Sequence, residues 1–220
     1  MRYLYEFIGT FFLVFTVGMV VLEPNSAGLW APLAIGSVLA VMVFAGGHLS
    51  GGHYNPAVSL AVYLRKKLSL NDLWMYWVAQ LAAAIVGAFL VLYLKDGLSA
   101  KPLELHTVRA FIVEFLFTFA LCFVVLNVAT ARDTAGNSYF GWAIGFTVLA
   151  GAYAIGTISS GAFNPAVALG VTILNLSHWS NLWIYIAANL LGGAAAAFVF
   201  NAAHSDEVYE KERINRLHEK

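Results

Sequence analysis

The most distinctive polar motifs of the chain are two Asn-Pro-Ala tripeptides, Asn55-Pro56-Ala57 and Asn164-Pro165-Ala166, which could bind a small polar molecule. Both lie inside strongly apolar stretches of the chain. Asn is among the best N-cap residues, and Pro is favoured at the first helical position. Each tripeptide therefore predicts a helix that begins within an apolar stretch. If the asparagine oxygen caps its own helix, the side-chain NH₂ remains free to donate hydrogen bonds to a small polar molecule.

The other reactive side chains give little support for catalysis or metal binding. Cys122 is the single cysteine, so it has no intramolecular disulfide partner, and its apolar neighbours predict a buried thiol. His48 and His53 lack a third ligand nearby in sequence, so structural hydrogen bonding is favoured over a metal site or a pH sensor. We find no nucleophile–base pair and no phosphate-binding loop. The sequence therefore predicts a protein that is not an enzyme and that has no cofactor and no bound metal.

The composition predicts an all-α integral membrane protein. Hydrophobic residues make up 60% of the 220 residues, charged residues 11%, and the mean hydropathy is +0.76. The 12 Lys and Arg balance the 12 Asp and Glu, so no basic surface indicates a nucleic-acid partner. Six apolar stretches are long enough to cross a membrane. They lie roughly at residues 3–22, 31–48, 72–94, 108–128, 139–157 and 179–202.

The stretches that begin at Asn55 and Asn164 are too short to cross. Each offers about ten helical residues, or ~15 Å, which is half a membrane. They are therefore predicted to be two re-entrant half-helices. Non-helical backbone at that depth is tolerated where it is buried in protein or lines a watery cavity. This arrangement favours a pore, towards which both helix N-termini would direct their positive dipole ends and so repel cations.

The chain is internally duplicated. Asn55 and Asn164 are 109 residues apart, Ala34-Ile35-Gly36 recurs at the same offset as Ala143-Ile144-Gly145, and Glu6 matches Glu114 at an offset of 108. Each half has three spans and one half-helix, so the second half must enter from the opposite side. We predict inverted repeats of roughly 1–95 and 105–203 within a single transmembrane domain, 1–203, followed by a charged cytoplasmic tail, 204–220.

The loop charges predict the orientation. With the N-terminus inside, nine Lys and Arg lie on the inner side and three on the outer side, namely Lys95, Lys101 and Arg109. This excess predicts cytoplasmic N- and C-termini in a cell or inner membrane.

These features together resemble the aquaporin family, the major intrinsic proteins, over essentially the full chain. The resemblance rests on "SGGHYNPAV" and "SGAFNPAV" and on the paired openings "EFIGT" and "EFLFT". It implies one pore per protomer, a homotetramer, and Asn55 and Asn164 as central donors. It also implies that Glu6 and Glu114 brace the two re-entrant loops by accepting backbone hydrogen bonds, with proton relay as the alternative. Carbonyls facing the pore would come from Gly51, Gly52, His53, Tyr54, Ser160, Gly161 and Ala162.

Four positions of the family's outer constriction, the selectivity filter, correspond by register to Ile35, Ala152, Gly161 and Val167. Water-selective members usually have an aromatic residue at the first position, His at the second and Arg directly after the second tripeptide. This chain has Ile, Ala and Val there. The substitutions predict a wider, more apolar filter without a fixed cation, which can discriminate by size but cannot hydrogen-bond a particular solute.

We therefore expect a passive channel for water and small neutral solutes, namely ammonia and hydrogen peroxide, with urea as a further candidate and with a low proton leak. The alternatives are a strict water channel or a glycerol facilitator whose mouth is narrowed by a loop residue such as Arg109. Inverted repeats and broken helices also occur in secondary transporters, and a structural membrane protein with a dry pore is a further alternative.

Overall fold

The computed structural model describes residues 1–24, 26–97 and 100–205, which form eight α-helices and no β-strand. Two helices are short, and each has only nine residues. The helices are α1 (Arg2–Val21), α2 (Ala31–Ser50), α3 (Pro56–Leu64), α4 (Leu70–Leu94), α5 (Thr107–Thr130), α6 (Phe140–Ser159), α7 (Pro165–Ile173) and α8 (Leu182–Ala203). The all-α prediction is confirmed, and most helix ends lie within two residues of the predicted ones. Of the predicted tail, residues 206–220 lie outside the described part of the chain.

The six long helices have the length and composition of membrane spans. They contain 20 to 25 residues, which gives about 30–38 Å at 1.5 Å per residue, and all six are apolar enough to cross a membrane. Large apolar side chains are exposed on their outer faces, for example Phe89 at 59% and Phe198 at 77%. Such faces suit contact with lipid rather than with water.

The packing joins the two halves of the chain. Within the halves, α1 packs against α2 and α4, and α5 packs against α6 and α8; α2 and α6 pack against each other across the halves. Each short helix crosses over, because α3 packs extensively against α8 and α7 against α4. The centre of the molecule is therefore built jointly by both halves.

Two equivalent glycines, Gly36 and Gly145, lie where α2 and α6 meet. A Cβ added at Gly145 would lie 2.3 Å from the Gly36 carbonyl oxygen, and a Cβ added at Gly36 would lie 2.7 Å from the Gly145 carbonyl oxygen. Each glycine therefore gives the other helix room for its backbone. Gly36 and Gly145 are equivalent positions of the two halves, 109 residues apart, and they touch each other. They therefore lie beside the axis that relates the halves.

Candidate pore at the junction of the two short helices

The backbone reverses sharply before each short helix. After α2, Gly51 and Gly52 have φ of +91° and +63°; after α6, Ser160 and Gly161 have φ of +71° and +61°. This left-handed conformation is costly for a residue with a Cβ, so Ser160 is strained where the first half has glycine. The reversal directs each loop back into the bundle and towards the start of its short helix.

The predicted side-chain caps are present on both short helices. The Asn55 Oδ1 accepts a hydrogen bond from the Ala57 N–H at 2.8 Å. The Asn164 Oδ1 accepts from the Ala166 N–H at 2.9 Å and from the Val167 N–H at 3.4 Å. Both asparagines are 3% exposed. Without the caps, the first backbone N–H groups of α3 and α7 would be buried with no hydrogen-bond acceptor.

The side-chain NH₂ groups of Asn55 and Asn164 are only partly free. The expectation that both N–H bonds of each group remain available is wrong, because one of them already has an acceptor in the protein. The Asn55 Nδ2 donates to the Phe163 carbonyl at 2.9 Å, and the Asn164 Nδ2 donates to the Tyr54 carbonyl at 2.8 Å. Phe163 and Tyr54 are each 1% exposed, so their carbonyls need a partner inside the protein. One N–H of each amide therefore joins the two loops, and one N–H of each remains for a solute.

The first loop converges on the carboxylate of Glu6, which is fully buried in α1. Its Oε1 accepts from the Ser50 hydroxyl at 2.7 Å and the His53 N–H at 2.9 Å. Its Oε2 accepts from the Tyr54 N–H at 2.7 Å and the Gln80 Nε2 at 2.8 Å. The two bonds from the backbone N–H groups of His53 and Tyr54 are those that the bracing role requires. All four donors together give the buried carboxylate the partners it needs.

The second loop has the same arrangement around Glu114 but with one partner fewer. Glu114 accepts from the Ser159 hydroxyl at 2.7 Å, the Ala162 N–H at 2.9 Å and the Phe163 N–H at 2.8 Å. Asn189 occupies the position that corresponds to Gln80, but its Oδ1 accepts from the Thr118 hydroxyl at 3.0 Å instead. Asparagine is one methylene shorter, so the second carboxylate lacks the fourth donor.

No sequence pattern indicated the role of Gln80, although Gln80 and Asn189 are separated by the same 109-residue offset as the other repeated positions. Its Nε2 also donates to the Ser59 hydroxyl at 3.0 Å, and Ser59 lies 3.0 Å from the Nδ1 of His53. His53, Ser59, Gln80 and Glu6 thus form one buried network. The structural role expected for His53 agrees with this placement, whereas His48 is exposed and lines the cavity on the other side of the junction.

The ring of Tyr54 fills a notch between two glycines. A Cβ added at Gly9 would lie 2.1 Å from a ring carbon, and a Cβ added at Gly46 would lie 2.0 Å from the phenol oxygen. The hydroxyl donates to the Met42 carbonyl at 2.9 Å. The ring is therefore held on several sides, and it fixes a residue whose N–H binds Glu6 and whose carbonyl binds the opposite loop.

Two cavities lie on either side of the asparagine pair. We call them the outer and the inner cavity after the predicted orientation of the chain. The outer one, of about 620 Å³, reaches Asn55 and Asn164, and its walls include all four predicted filter positions, Ile35, Ala152, Gly161 and Val167. Most of its other walls are Leu, Val, Ile and Ala side chains. The four predicted filter residues are thus brought together in one apolar space.

The predicted pore carbonyl residues are divided between the cavities. His53, Ser160, Gly161 and Ala162 line the outer cavity, and Gly51 lines the inner one. Gly52 and Tyr54 are buried and line neither of these two cavities. The carbonyl of Tyr54 already accepts the cross-loop bond from Asn164, so at most its second lone pair could serve a solute.

The inner cavity, of about 900 Å³, differs in charge. Arg65, Lys67 and Arg132 line it together with His48. Arg65 is 4% exposed, and its guanidinium stacks over the Phe200 ring at 4.9 Å, a cation–π contact. The inner cavity is therefore lined in part by basic side chains, whereas the outer one is mostly apolar.

The loop residue proposed to narrow the outer mouth, Arg109, does not line the outer cavity. It lies in a separate surface depression with Glu104, His106 and residues of α5 and α6. Lys101 and Glu104 reach the outer cavity instead. Arg109 lies in the first turn of α5, where its backbone N–H donates to the His106 ring at 3.5 Å.

The single thiol and the possible metal ligands are not gathered into one site among the described residues. Cys122 is fully buried in α5, as predicted. Among the described residues, no three His, Cys, Asp or Glu side chains lie close enough together to hold a metal ion.

Known proteins provide an independent comparison. A family model described as Major intrinsic protein matches residues 1–200. Nodulin-26 from Glycine max is 35% identical over 210 residues, which cover 89% of this chain and 75% of the nodulin. The glycerol uptake facilitator protein-like 6 from Lactiplantibacillus plantarum is 35% identical over 215 residues, 94% of this chain and 99% of that protein. The X-ray structure of the aquaglyceroporin from Plasmodium falciparum superposes with a TM-score of 0.77 over 91% of this chain and 94% of that one, at 23% identity.

Proposed function

The chain belongs to the major intrinsic protein family, and on that premise we propose that its pore conducts water together with ammonia and hydrogen peroxide. Membership makes it an integral, multi-pass membrane channel for water and small solutes, and not an enzyme. The side chains that line the outer cavity support the proposal that ammonia and hydrogen peroxide pass together with water.

The observation that carries the proposal is the side chain after the second tripeptide. Val167 is 5% exposed, lines the outer cavity and stands where a cationic side chain would give five donors. Ile35 and Ala152 leave the facing walls apolar. A neutral solute that loses few hydrogen bonds on entering meets the smallest penalty in such a space, and ammonia and hydrogen peroxide are close to water in size.

The junction supplies the polar contacts that the filter lacks. The remaining N–H of Asn55 and that of Asn164 can each hold the oxygen or nitrogen of a passing solute. The N-termini of α3 and α7 place their partial positive charges at the same point, which disfavours hydronium and ammonium ions. Water and ammonia therefore pass through the junction in neutral form, with a low proton leak.

Glycerol is a second candidate, because the outer cavity has a volume of about 620 Å³ and one relative is called a glycerol uptake facilitator protein-like protein. The residues after the second tripeptide, Val167 and Ala168, offer glycerol no side-chain hydrogen bond. Its three hydroxyls would depend on carbonyls such as that of Gly161. Urea is intermediate in size, so its flux relative to glycerol reports the width of the filter.

The deciding experiment compares wild type with Val167→Arg in proteoliposomes. Stopped-flow light scattering follows water, urea and glycerol, and an internal pH dye follows ammonia and protons. We expect Val167→Arg to reduce ammonia and urea flux severalfold more than water flux, because it narrows the filter and adds a charge. Wild-type vesicles that pass only water, or an arginine that reduces every flux equally, would contradict the apolar-filter proposal. Saturable, ion-coupled flux would point to a transporter.

The assembly and the topology complete the proposal. The protein forms a homotetramer with one pore per protomer and with both termini in the cytoplasm. The exposed apolar faces of the long helices provide surface for such contacts, and the excess of Lys and Arg on the predicted inner side supports the orientation. Glu6 and Glu114 act as braces of the loops, a role that their backbone partners support better than proton relay.

A further inference from the structure

The segment 100–105, which we call the outer strap, forms part of the wall of the outer cavity. Lys101, Pro102, Leu103 and Glu104 all line that cavity. The strap lies far from the filter positions in sequence, yet it shares the cavity with them. It is therefore a second place from which the chain can set the charge of the pore entrance.

Three contacts fix the outer strap to the segment that follows α7. The Asn175 Nδ2 donates to the Ala100 carbonyl at 3.0 Å. The Leu103 N–H donates to the Leu176 carbonyl at 3.1 Å. The His178 Nε2 lies 3.3 Å from the Glu104 Oε1. The strap is thus attached near both ends and in the middle, so Lys101 is kept beside the cavity.

The outer strap has two charged residues, Lys101 and Glu104, and only Glu104 has a polar partner among the described residues. Apart from the imidazole of His53, Lys101 and Glu104 are the ionisable residues among the described residues that line the outer cavity. Glu104 has His178 as a partner at 3.3 Å. The Lys101 ammonium makes no hydrogen bond or ion pair with a described residue, and its side chain is exposed. Glu104 keeps its negative charge whenever the His178 imidazole is neutral, so the entrance has one charge of each sign, and of these two side chains only Lys101 has no polar partner among the described residues.

We infer that Lys101 is a specificity-determining residue, which excludes cations at the outer mouth of a filter that has no cation of its own. The inference rests on the proposed function, since it concerns the choice between a neutral solute and its protonated form. An ammonium or hydronium ion approaching the apolar cavity is repelled by Lys101 before it loses its hydration shell, whereas ammonia and water are not. The charge absent at Val167 is thus supplied from the outer strap.

The size of the effect follows from Coulomb's law. If the ammonium is taken to lie about 8 Å from the path of the ion, its unit charge changes cation entry roughly twofold at a water-like dielectric and roughly thirtyfold at the effective dielectric of a protein surface. Lys101 is solvent-exposed at an open mouth, so the expected change lies between these limits. The effect also decreases as salt is added, because exposed charges are screened.

The test compares Lys101→Gln, Lys101→Arg and Arg109→Gln in the same proteoliposomes. Methylammonium at acidic pH, driven by an imposed membrane potential, is the cation probe, and water flux on the same vesicles is the reference. We expect Lys101→Gln to raise the ratio of methylammonium-ion flux to water flux about two- to thirtyfold. Lys101→Arg keeps the charge and should leave that ratio near the wild-type value. Arg109→Gln removes the same charge from the same face of the protein but from outside the cavity, so it is the matched control.

Three results would overturn the inference. The first is an unchanged ratio in Lys101→Gln, and the second is an equal change in Arg109→Gln, which would assign the effect to general surface charge. The third is a change in Lys101→Arg as large as in Lys101→Gln, which would assign it to side-chain shape. Wild-type water and ammonia fluxes separate the two levels: if wild type conducts neither, the proposed function fails, and if it conducts both, a failed Lys101 test refutes this inference alone.

Discussion

Replacing Gly9 by alanine tests whether the first loop depends on the buried ring of Tyr54. The new methyl group would lie 2.1 Å from one ring carbon and 2.4 Å from two more. The ring cannot move away easily, since it is 1% exposed, its hydroxyl binds the Met42 carbonyl, and Gly46 closes the far side. Overpacking of this kind costs about 1–3 kcal/mol and occasionally more, and we expect the upper part of that range.

The matched control is Gly156→Ala in α6, where an added Cβ meets nothing within 4 Å. Both changes replace a helical glycine by alanine and gain about 0.5–1 kcal/mol of helix preference, so this gain cancels between them. The difference in stability is then the overpacking cost alone. At about 2–4 °C per kcal/mol for a chain of this size and a cost of about 2–3 kcal/mol, Gly9→Ala should unfold roughly 4–12 °C below Gly156→Ala.

The assay is thermal unfolding of the purified protein in detergent, followed by water permeability in proteoliposomes. Permeability of Gly9→Ala should fall, because the displaced Tyr54 binds both Glu6 and Asn164 through its backbone. Adding Tyr54→Leu, which shortens the side chain, should recover part of the lost stability. The reasoning is refuted if Gly9→Ala is as stable as Gly156→Ala, or if the double variant recovers nothing; the double variant decides the matter if Gly9→Ala does not fold.

Two further substitutions test the hydrogen bonds at the junction. Gln80→Asn withdraws the fourth donor of Glu6 and should lower the free energy of unfolding by about 1.5–3 kcal/mol, measured by thermal unfolding; an unchanged stability would mean that the bond at 2.8 Å contributes nothing. Asn55→Ala removes both the cap on Ala57 and the bond to the Phe163 carbonyl, which predicts a loss of about 1.5–4 kcal/mol. Its water permeability should fall as well, and normal permeability in a destabilised variant would show that the junction tolerates a missing donor.

The regular parts of the fold could be predicted from the sequence because they depend on local patterns. Long apolar stretches fixed the six spans, and the Asn-Pro pairs fixed the starts of both short helices. The 109-residue offset identified equivalent residues, such as Gly36 and Gly145. An offset identifies which residues correspond, however, and not which residues touch. The bonds from Asn55 to Phe163 and from Asn164 to Tyr54 join different halves, so the repeat gave no sign of them.

The outer mouth could not be predicted, because the path of a loop leaves no periodic signal. Lys101 lies before α5 and Arg109 in its first turn, and the sequence offered no means of telling which of the two side chains borders the pore. Lys101 borders the pore because hydrogen bonds attach the outer strap to Asn175 and Leu176. Their partners Ala100 and Leu103 lie 75 and 73 residues earlier in the chain. Contacts of this separation are set by tertiary packing.

The crossed asparagine bonds also constrain the order in which the protein can be made. The Nδ2 of Asn55 has its acceptor 108 residues further along the chain, and the acceptor of Asn164 precedes it by 110 residues. When only the first half has been synthesised, the loop that contains Asn55 therefore has no partner, because Phe163 has not yet been added to the chain. Asn55 can cap its own helix at that stage, but its Nδ2 has no Phe163 carbonyl to bind until the second half is inserted. Completion of the channel is a late event in biosynthesis, and two separately expressed halves should conduct only when both reach the same membrane.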